Sequence, residues 1–251
     1  MAANKIASKK LALVTGVSRG IGRAIAQQLL SENFRAIGTY NSNKAEAESL
    51  LEKTNDLELF QCDFSHRKET LSLLEKLTDR KFDLLVNNAA IFYPENPDSL
   101  EIDIWDKTIE VNLTAPMLLA KRLMPQMPAG STIVNISSTD SFTGSFNSIA
   151  YAVSKAALNS LTKSLANIGG KNNIRVVAIA PGWVNNTGMN SAVSQEAATL
   201  SSLGRNGEPS EIADLVSFLA SSKAAFITGS TIVADGGYTN VDYIMKKEAE
   251  V

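Results

Sequence analysis

Residues 13–22 read LVTGVSRGIG, a turn between an apolar strand pattern and a helical pattern. Gly16, Ser18 and Gly20 fit Gly-x-Ser-x-Gly, the nucleophile elbow of some hydrolases. With Gly22, the same glycines also fit a phosphate-binding turn, in which the following helix offers free N–H groups to an anion. Both kinds of site lie between a strand and a helix, so other parts of the chain must decide between them.

A nucleophilic serine needs a base, usually a histidine that a carboxylate orients. The chain has one histidine, His66, in the polar run SHRKE at the start of a predicted helix. In α/β-hydrolases the histidine comes late in the chain, whereas His66 comes early and the candidate elbow follows the first strand. We therefore interpret His66 as a solvated helix residue and reject the hydrolase.

The three glycines suit a phosphate-binding turn. Gly16 permits the tight bend, Gly20 lets the backbone approach a pyrophosphate, and Gly22 allows the helix to pack closely on the strand. No Gly-Lys-Ser/Thr sequence follows, which excludes a P-loop nucleotide triphosphatase. The stretch predicts a dinucleotide site.

Composition narrows the classes of function. Lys and Arg total 24 against 26 Asp and Glu, so a net charge of -2 gives no general attraction to nucleic acid or anionic lipid. The single cysteine, Cys62, excludes an internal disulfide, and no cluster of His and Cys indicates a metal site. No apolar run reaches the ~18 residues of a membrane span, and the N-terminal MAANKIASKK lacks the apolar core of a signal peptide. We expect a cytoplasmic protein.

Seven apolar segments of strand length alternate with helical patterns. Several are apolar at consecutive positions, as in strands buried on both faces of a parallel sheet. They span residues 11–15, 34–40, 57–62, 82–88, 131–137, 174–180 and 230–234. The alternation predicts an α/β protein with a doubly wound Rossmann fold, a seven-stranded, mostly parallel sheet with helices on both faces.

The chain reads as a single domain over residues 1–251, with a core at about 10–238. Residues 187–207 are rich in Ser, Ala and Asn and predict a mobile flap or short helices after the sixth strand. Residues 239–251 are polar and predict a loosely held tail.

Five motifs follow one another in a fixed order. They are Thr15-Gly16-x-x-x-Gly20-Ile21-Gly22, Asn87-Asn88-Ala89, Ser138, Tyr151-x-x-x-Lys155 and Pro181-Gly182. Their order and spacing resemble the short-chain dehydrogenase/reductase family over roughly residues 10–238, and most closely its bacterial reductases of the 3-oxoacyl-carrier-protein type. The resemblance implies reversible hydride transfer between a nicotinamide and a carbonyl carbon, with no metal.

Tyr151 and Lys155 lie on one face of a predicted helix, four residues apart. A nearby ammonium favours the phenolate, so we expect Lys155 to lower the pKa of Tyr151 and make it a general acid/base. Ser138 follows strand five, where it could bind the substrate oxygen. The resemblance implies that Ser138 rather than Ser137 is catalytic, and that Asn112 holds a water that relays protons to Lys155.

The end of the second strand indicates which nicotinamide binds. NAD-preferring proteins carry an acid there, whereas this chain reads TYNSNK with no acid before Glu46. Arg19, Asn41 and Ser42 could instead bind a 2′-phosphate, which predicts NADPH. The resemblance implies that Asp63 contacts adenine. The full predicted cofactor set is Gly16, Ser18, Arg19, Gly20, Ile21, Gly22, Asn41, Ser42, Asp63, Asn88, Ala89, Tyr151, Lys155, Pro181, Gly182 and Val184.

The chain departs from the family pattern in three places. Ala90 replaces a glycine that can adopt positive φ, which puts cofactor geometry in question. The threonine expected at the position of Asn186 comes one residue later, at Thr187. Residues 124–131 lack the basic side chains that would meet an acidic carrier protein, although three others could substitute, namely Lys121, Arg122 and Lys171.

These features favour an NADPH-dependent carbonyl reductase, with a 3-oxoacyl thioester as the first substrate hypothesis and an acyl carrier protein as a candidate partner. The alternatives are an NAD(P)-dependent alcohol, sugar or steroid dehydrogenase on the same scaffold, and a regulator that binds NADPH without turnover. We also expect a homotetramer, paired through the apolar helical runs 115–123 and 152–165, although both runs could equally belong to the core.

Overall fold

The sheet determines where the site lies. The computed structural model describes residues 9–96, 98–99, 101–187 and 191–249. Its strands are β1 (Lys10–Val14), β2 (Phe34–Tyr40), β3 (Leu57–Gln61), β4 (Leu84–Asn87), β5 (Thr132–Ile136), β6 (Arg175–Pro181) and β7 (Thr231–Ala234). They form one parallel sheet in the order β3-β2-β1-β4-β5-β6-β7. The strand order reverses between β1 and β4, which opens a crevice at the carboxyl ends of these strands.

Helices cover both faces of the sheet, as the alternation of patterns predicts. They are α1 (Gly20–Ser31), α2 (Lys44–Glu48), α3 (Arg67–Lys76), α4 (Ile102–Ile109), α5 (Ala115–Leu123), α6 (Ile149–Gly170), α7 (Ser191–Leu200), α8 (Pro209–Ala220) and α9 (Tyr243–Ala249). In the part of the chain that the structure describes, no helix combines the length and apolar character that crossing a bilayer requires.

Alternate strand residues enter two separate cores. Val14 joins the core that includes Ile25 of α1 and Val216 of α8. Leu13, its neighbour in β1, joins the core on the other face with Leu119 of α5. Because both faces of β1 are buried, its sequence is apolar at consecutive positions rather than alternating. The doubly wound fold is confirmed, with seven parallel strands.

Two segments differ from the simple helical or loop pattern. A π-helical turn at Glu110–Thr114 joins α4 to α5, where the sequence predicts one continuous helical segment. After β7, the polar tail contains a turn at Tyr238–Asn240 and helix α9. We call residues 238–249 the C-terminal arm. Its hydrogen bonds to residues at and just after the end of α7 correct the expectation of a loosely held tail, and α7 matches the expected short helix after the sixth strand.

Candidate active site

The glycine turn has the geometry that a dinucleotide requires. Gly16 has a φ of 75° and Gly20 a φ of 54°, values that favour glycine. A Cβ on Gly22 would lie 2.1 Å from the Gly16 carbonyl oxygen, so only glycine lets α1 begin this close to β1. Arg19 is the N-cap of α1 and makes no side-chain cap, which leaves the first N–H groups of the helix available to phosphate.

Thr15 and Asn88 hold this turn against the end of β4. The Thr15 hydroxyl accepts hydrogen bonds from the backbone N–H groups of Asn88 and Ala89, both at 2.9 Å. In return, the Asn88 amide donates to the carbonyls of Thr15 at 2.8 Å and Gly16 at 3.1 Å. This network presents a preformed turn to a ligand.

The turn opens into a cleft of about 1080 Å³ at the carboxyl ends of the strands. Every predicted cofactor residue lines it: Gly16, Ser18, Arg19, Gly20, Ile21, Gly22, Asn41, Ser42, Asp63, Asn88, Ala89, Tyr151, Lys155, Pro181, Gly182 and Val184. Ser138 also lines it, whereas Asn112 does not. The structure therefore brings together parts of the chain that are far apart in sequence, in a cleft with room and donors for a dinucleotide.

At the end of the cleft near β2, Arg19 is exposed and close to Asn41 and Ser42. Among the residues that the structure describes, no acid forms an ion pair with the Arg19 guanidinium, so its charge is available to a ligand. Asp63, the acid predicted to contact adenine, accepts a hydrogen bond from the Ser65 N–H at 2.9 Å. Its carboxylate also lies 3.4 Å from Nδ1 of His66, which is the N-cap of α3.

At the other end, Ser138, Tyr151 and Lys155 come together from β5 and α6. The Ser138 hydroxyl is close enough to the Tyr151 side chain to lower the pKa of the phenol. The Lys155 ammonium lies 5.5 Å from the centroid of the Tyr151 ring and donates to the Ile136 carbonyl at 2.7 Å. Phe92 packs edge-on against Tyr151 at 5.3 Å between centroids and covers that side of the ring.

Burial controls the pKa values of this group. Burial raises the pKa of Tyr151 to about 12; the nearby Ser138 hydroxyl opposes this rise and the charge of Asp140 adds to it. Burial lowers the pKa of Lys155 to about 8, against the opposite effect of Asp140. In the protein alone, desolvation of the phenolate sets the direction of the Tyr151 pKa, and the lowering of that pKa by Lys155 stays a prediction. Tyr151 is held in its neutral, proton-donating form.

Asn112 lies in the π-helical turn and is buried. Its Oδ1 accepts from the Ile91 N–H at 2.9 Å, and its Nδ2 donates to the Ile91 carbonyl at 3.0 Å and to the Ser154 hydroxyl at 3.1 Å. The side chain thus clamps the loop after β4 to α6 at Ser154, the residue directly before Lys155. Both Nδ2 hydrogens are donated to protein atoms, so a water that relays protons would have to bind another atom of Asn112.

The departures from the family pattern have simple structural outcomes. Ala90 is not among the residues with positive φ, so the missing glycine causes no strain. Asn186 has a φ of 60°, a left-handed conformation that absorbs one extra residue. As a result Thr187, whose hydroxyl donates to the Val184 carbonyl at 2.8 Å, lines the cleft while Asn186 is exposed.

The sequence did not single out several residues of the cleft. Asp140 lies in a 3-10 turn after Ser138, and its N–H donates to the Ser138 hydroxyl at 3.1 Å. Aromatic side chains also line the cleft, namely Phe92, Trp183, Tyr238 and Tyr243. Asp140 follows a predicted site residue closely enough to have been suspected, but nothing in a polar terminal sequence indicates that Tyr243 folds back over the site.

A doubly wound sheet with this glycine turn and a Ser-Tyr-Lys group at its carboxyl edge defines a nicotinamide-dependent oxidoreductase. The family model described as enoyl-(acyl carrier protein) reductase matches residues 16–239. The chain belongs to the short-chain dehydrogenase/reductase family and is similar to its 3-oxoacyl-carrier-protein reductase type.

Three known proteins illustrate the similarity. The 3-oxoacyl-[acyl-carrier-protein] reductase FabG of Vibrio harveyi is 38% identical over 237 residues, covering 91% of this chain and 96% of the relative. The structure of BdcA in complex with NADPH matches with a TM-score of 0.85 and 29% identity, covering 91% of this chain and 93% of that one. 4-Hydroxyisoleucine dehydrogenase complexed with NADH matches with a TM-score of 0.85 and 31% identity, covering 93% and 100%.

Proposed function

We propose that the protein reduces a carbonyl group to an alcohol with NADPH, and that the substrate is a 3-oxoacyl thioester. The observation that carries the chemistry is the convergence of Ser138, Tyr151 and Lys155 on one cleft beside the glycine turn. The similarity to the Vibrio harveyi reductase supports the thioester.

The proposed roles follow from the positions of the side chains. The bound dinucleotide supplies the hydride. The free N–H groups at the start of α1 bind its pyrophosphate, while Pro181, Gly182 and Val184 hold its nicotinamide end. Ser138 and Tyr151, which line the same cleft, both bind the carbonyl oxygen, and Tyr151 donates the proton. The Lys155 ammonium stabilises the negative charge that develops on Tyr151.

The choice of NADPH is supported by charge. Arg19 is exposed at the cleft without an acidic partner in the described chain, and Asn41 and Ser42 offer polar side chains beside it. A guanidinium binds a phosphate by paired, charge-assisted hydrogen bonds, whereas it gains little from a ribose hydroxyl. The 2′-phosphate of NADPH would give the Arg19 guanidinium an anionic partner.

An acyl carrier protein is the proposed partner of a carrier-bound substrate. Lys121 and Arg122 end α5, and Lys171 follows α6, so all three lie where β5 and β6 begin, at the edge of the sheet opposite the cleft. A carrier docked on them would lie away from the cleft of the same chain. Comparing kcat/KM for acetoacetyl-carrier protein and acetoacetyl-coenzyme A, with and without Lys171→Glu, tests this.

The second candidate is an NAD(P)-dependent dehydrogenase for another alcohol. The 4-hydroxyisoleucine dehydrogenase bound to NADH matches this fold over 93% of the chain, which favours this alternative. A regulator that binds NADPH without turnover would not need Tyr151.

The deciding experiment follows NADPH and NADH oxidation with acetoacetyl thioesters and a panel of ketones and aldehydes. We expect NADPH turnover with the thioesters and its loss in Tyr151→Phe. Arg19→Ala should raise the KM for NADPH and leave that for NADH, while Arg35→Ala, an exposed change outside the cleft, serves as the control. Turnover only with other carbonyls would discard the thioester, and NADPH binding without any turnover would favour the regulator.

A further inference from the structure

The C-terminal arm folds back to line the cleft. Tyr238, Thr239, Val241 and Tyr243 all line it, although they follow the last strand of the sheet. The family match ends at residue 239, so Val241 and Tyr243 lie outside the part of the chain that the family model covers. Part of this wall of the cleft is therefore not a feature that the family model describes.

Hydrogen bonds at the start of the arm hold its path. The Asp235 carboxylate accepts from the Gly237 N–H at 2.9 Å, the Thr239 N–H at 2.8 Å and the Thr239 hydroxyl at 2.7 Å. Gly237 has a φ of 81°, which turns the chain back over the cleft. The Tyr243 hydroxyl then donates to the Tyr238 carbonyl at 3.0 Å and closes the bend.

The arm is also bound to the end of α7. The Leu203 N–H donates to the Gly236 carbonyl at 3.0 Å, and the Lys246 ammonium donates to the carbonyls of Thr199 and Ser201. The last carbonyls of a helix lack partners within the helix, and a cation there is favourable. The arm is therefore held against residues 199–203, at and just after the end of α7.

Aromatic side chains line the cleft beside the arm. Trp183, just after β6, packs against Tyr238 at 6.5 Å between ring centroids, and Tyr238 packs against Tyr243 at 6.1 Å. Phe92, on the other side of the cleft, contacts Tyr151. These rings line the same cleft as Tyr151, so a substrate whose carbonyl reaches Tyr151 has apolar surface in that cleft for its remaining part.

We propose that the C-terminal arm forms an aromatic substrate subsite, and that this subsite selects carbonyl compounds carrying an extended apolar chain or ring. The inference rests on the proposed function, because it takes Tyr151 as the point where the carbonyl binds. It adds Tyr238 and Tyr243 as specificity-determining residues and gives Lys246 the task of holding the arm closed.

Steady-state kinetics with two substrate pairs tests the subsite. One pair is an acetoacetyl and a medium-chain 3-oxoacyl thioester, and the other is acetone and a long-chain methyl ketone. We expect wild-type kcat/KM to rise with chain length, and Tyr243→Ala to raise KM for the longer member by at least about fivefold with little change in kcat. Tyr243→Phe keeps the ring and should retain the preference. Tyr93→Ala, a similarly exposed tyrosine outside the cleft, is the control.

A binding measurement separates this inference from the reductase proposal. In a Trp105→Phe background, Trp183 is the only tryptophan, and its fluorescence reports titration with a long-chain secondary alcohol. Weaker binding by Tyr243→Ala than by Tyr243→Phe supports the subsite even if no carbonyl is turned over, in which case only the reductase proposal fails. Equal losses for short and long substrates, or binding that Tyr243→Ala leaves unchanged, would overturn the subsite.

Discussion

Asp140 brings a half-buried carboxylate to the pair formed by Tyr151 and Lys155. It lies on the turn that follows Ser138, and its N–H orients the Ser138 hydroxyl. Burial raises the pKa of Asp140, against the opposing effect of the Lys155 ammonium. In turn, its charge favours the protonated forms of Lys155 and Tyr151. Asp140 therefore keeps protons on the pair, which suits donation to a carbonyl.

A pH profile tests this effect. The pKa of Lys155 is about 8, so we expect the reductive kcat/KM to fall as the pH rises through that region and the ammonium is lost. Asp140→Asn removes a charge that raises this pKa, so the falling limb should move to lower pH. An unchanged limb, or a move to higher pH, would contradict the assignment. Asp140→Glu, which keeps the charge, should stay closer to wild type.

At the level of elements, the junction between β1 and α1 depends on one missing side chain. A Cβ on Gly22 would also lie 2.3 Å from the Asn88 amide nitrogen, besides its contact with the Gly16 carbonyl. Gly22→Ala must therefore push α1 away from the turn and disturb the phosphate site. We expect it to weaken NADPH binding strongly in a fluorescence titration.

The matched control for that change is Gly170→Ala. Gly170 ends α6, has no positive φ, and a Cβ there would meet no atom within 4 Å. Replacing glycine by alanine in a helix usually stabilises it by ~0.5–1 kcal/mol. NADPH binding by Gly170→Ala should match wild type, and a Gly22→Ala variant with equally normal binding would refute the packing argument.

The elements that the sequence predicted well are those with a local pattern. Strands apolar on both faces predict the parallel sheet, and the glycines predict the turn before α1. The π-helical turn at Asn112 could not be predicted, because its cause is tertiary: a buried amide that bonds both the N–H and the carbonyl of Ile91. Likewise, the pKa of Tyr151 depends on how deeply the side chain is buried. The helical spacing of Tyr151 and Lys155 in the sequence does not indicate that depth.

At the scale of the whole molecule, Arg175 joins the sheet to the helix layer. It is 8% exposed, and its guanidinium donates to the Thr132 hydroxyl at 2.8 Å and to the carbonyls of Leu219 at 2.6 Å and Ser221 at 3.2 Å. Burial lowers its pKa. Arg175 is the first residue of β6, and its side chain thus supplies hydrogen-bond donors to carbonyls at the C-terminal end of α8.

We expect Arg175→Met to lower the free energy of unfolding by roughly 2–4 kcal/mol, because several buried acceptors lose a charged donor. Urea unfolding measures the change. Arg175→Lys keeps a charge but lacks the branched guanidinium, so it should recover only part of the loss. A loss below about 0.5 kcal/mol, which is usual for surface changes, would show that water replaces these contacts.

The homotetramer remains a prediction at this scale. Four large apolar side chains of the two helical runs named for it are in the core, namely Leu119, Leu123, Leu158 and Leu165. Val153 and Ile168 on α6 are exposed, at 42% and 44%, and are available for pairing. Light scattering should give four times the chain mass, and Val153→Glu should reduce it; a monomer mass for the wild type would refute the tetramer.

The position of the C-terminal arm outside the sheet gives it evolutionary freedom. Ser138 follows β5, and Tyr151 and Lys155 belong to α6, so changes around them would disturb the sheet and the helix that packs on it. The arm follows β7 and adds no strand, so its residues can diverge, or be exchanged between relatives, while the hydride-transfer apparatus stays intact. Chimeras joined after Gly237 would allow a new substrate preference to be installed on an unchanged enzyme core.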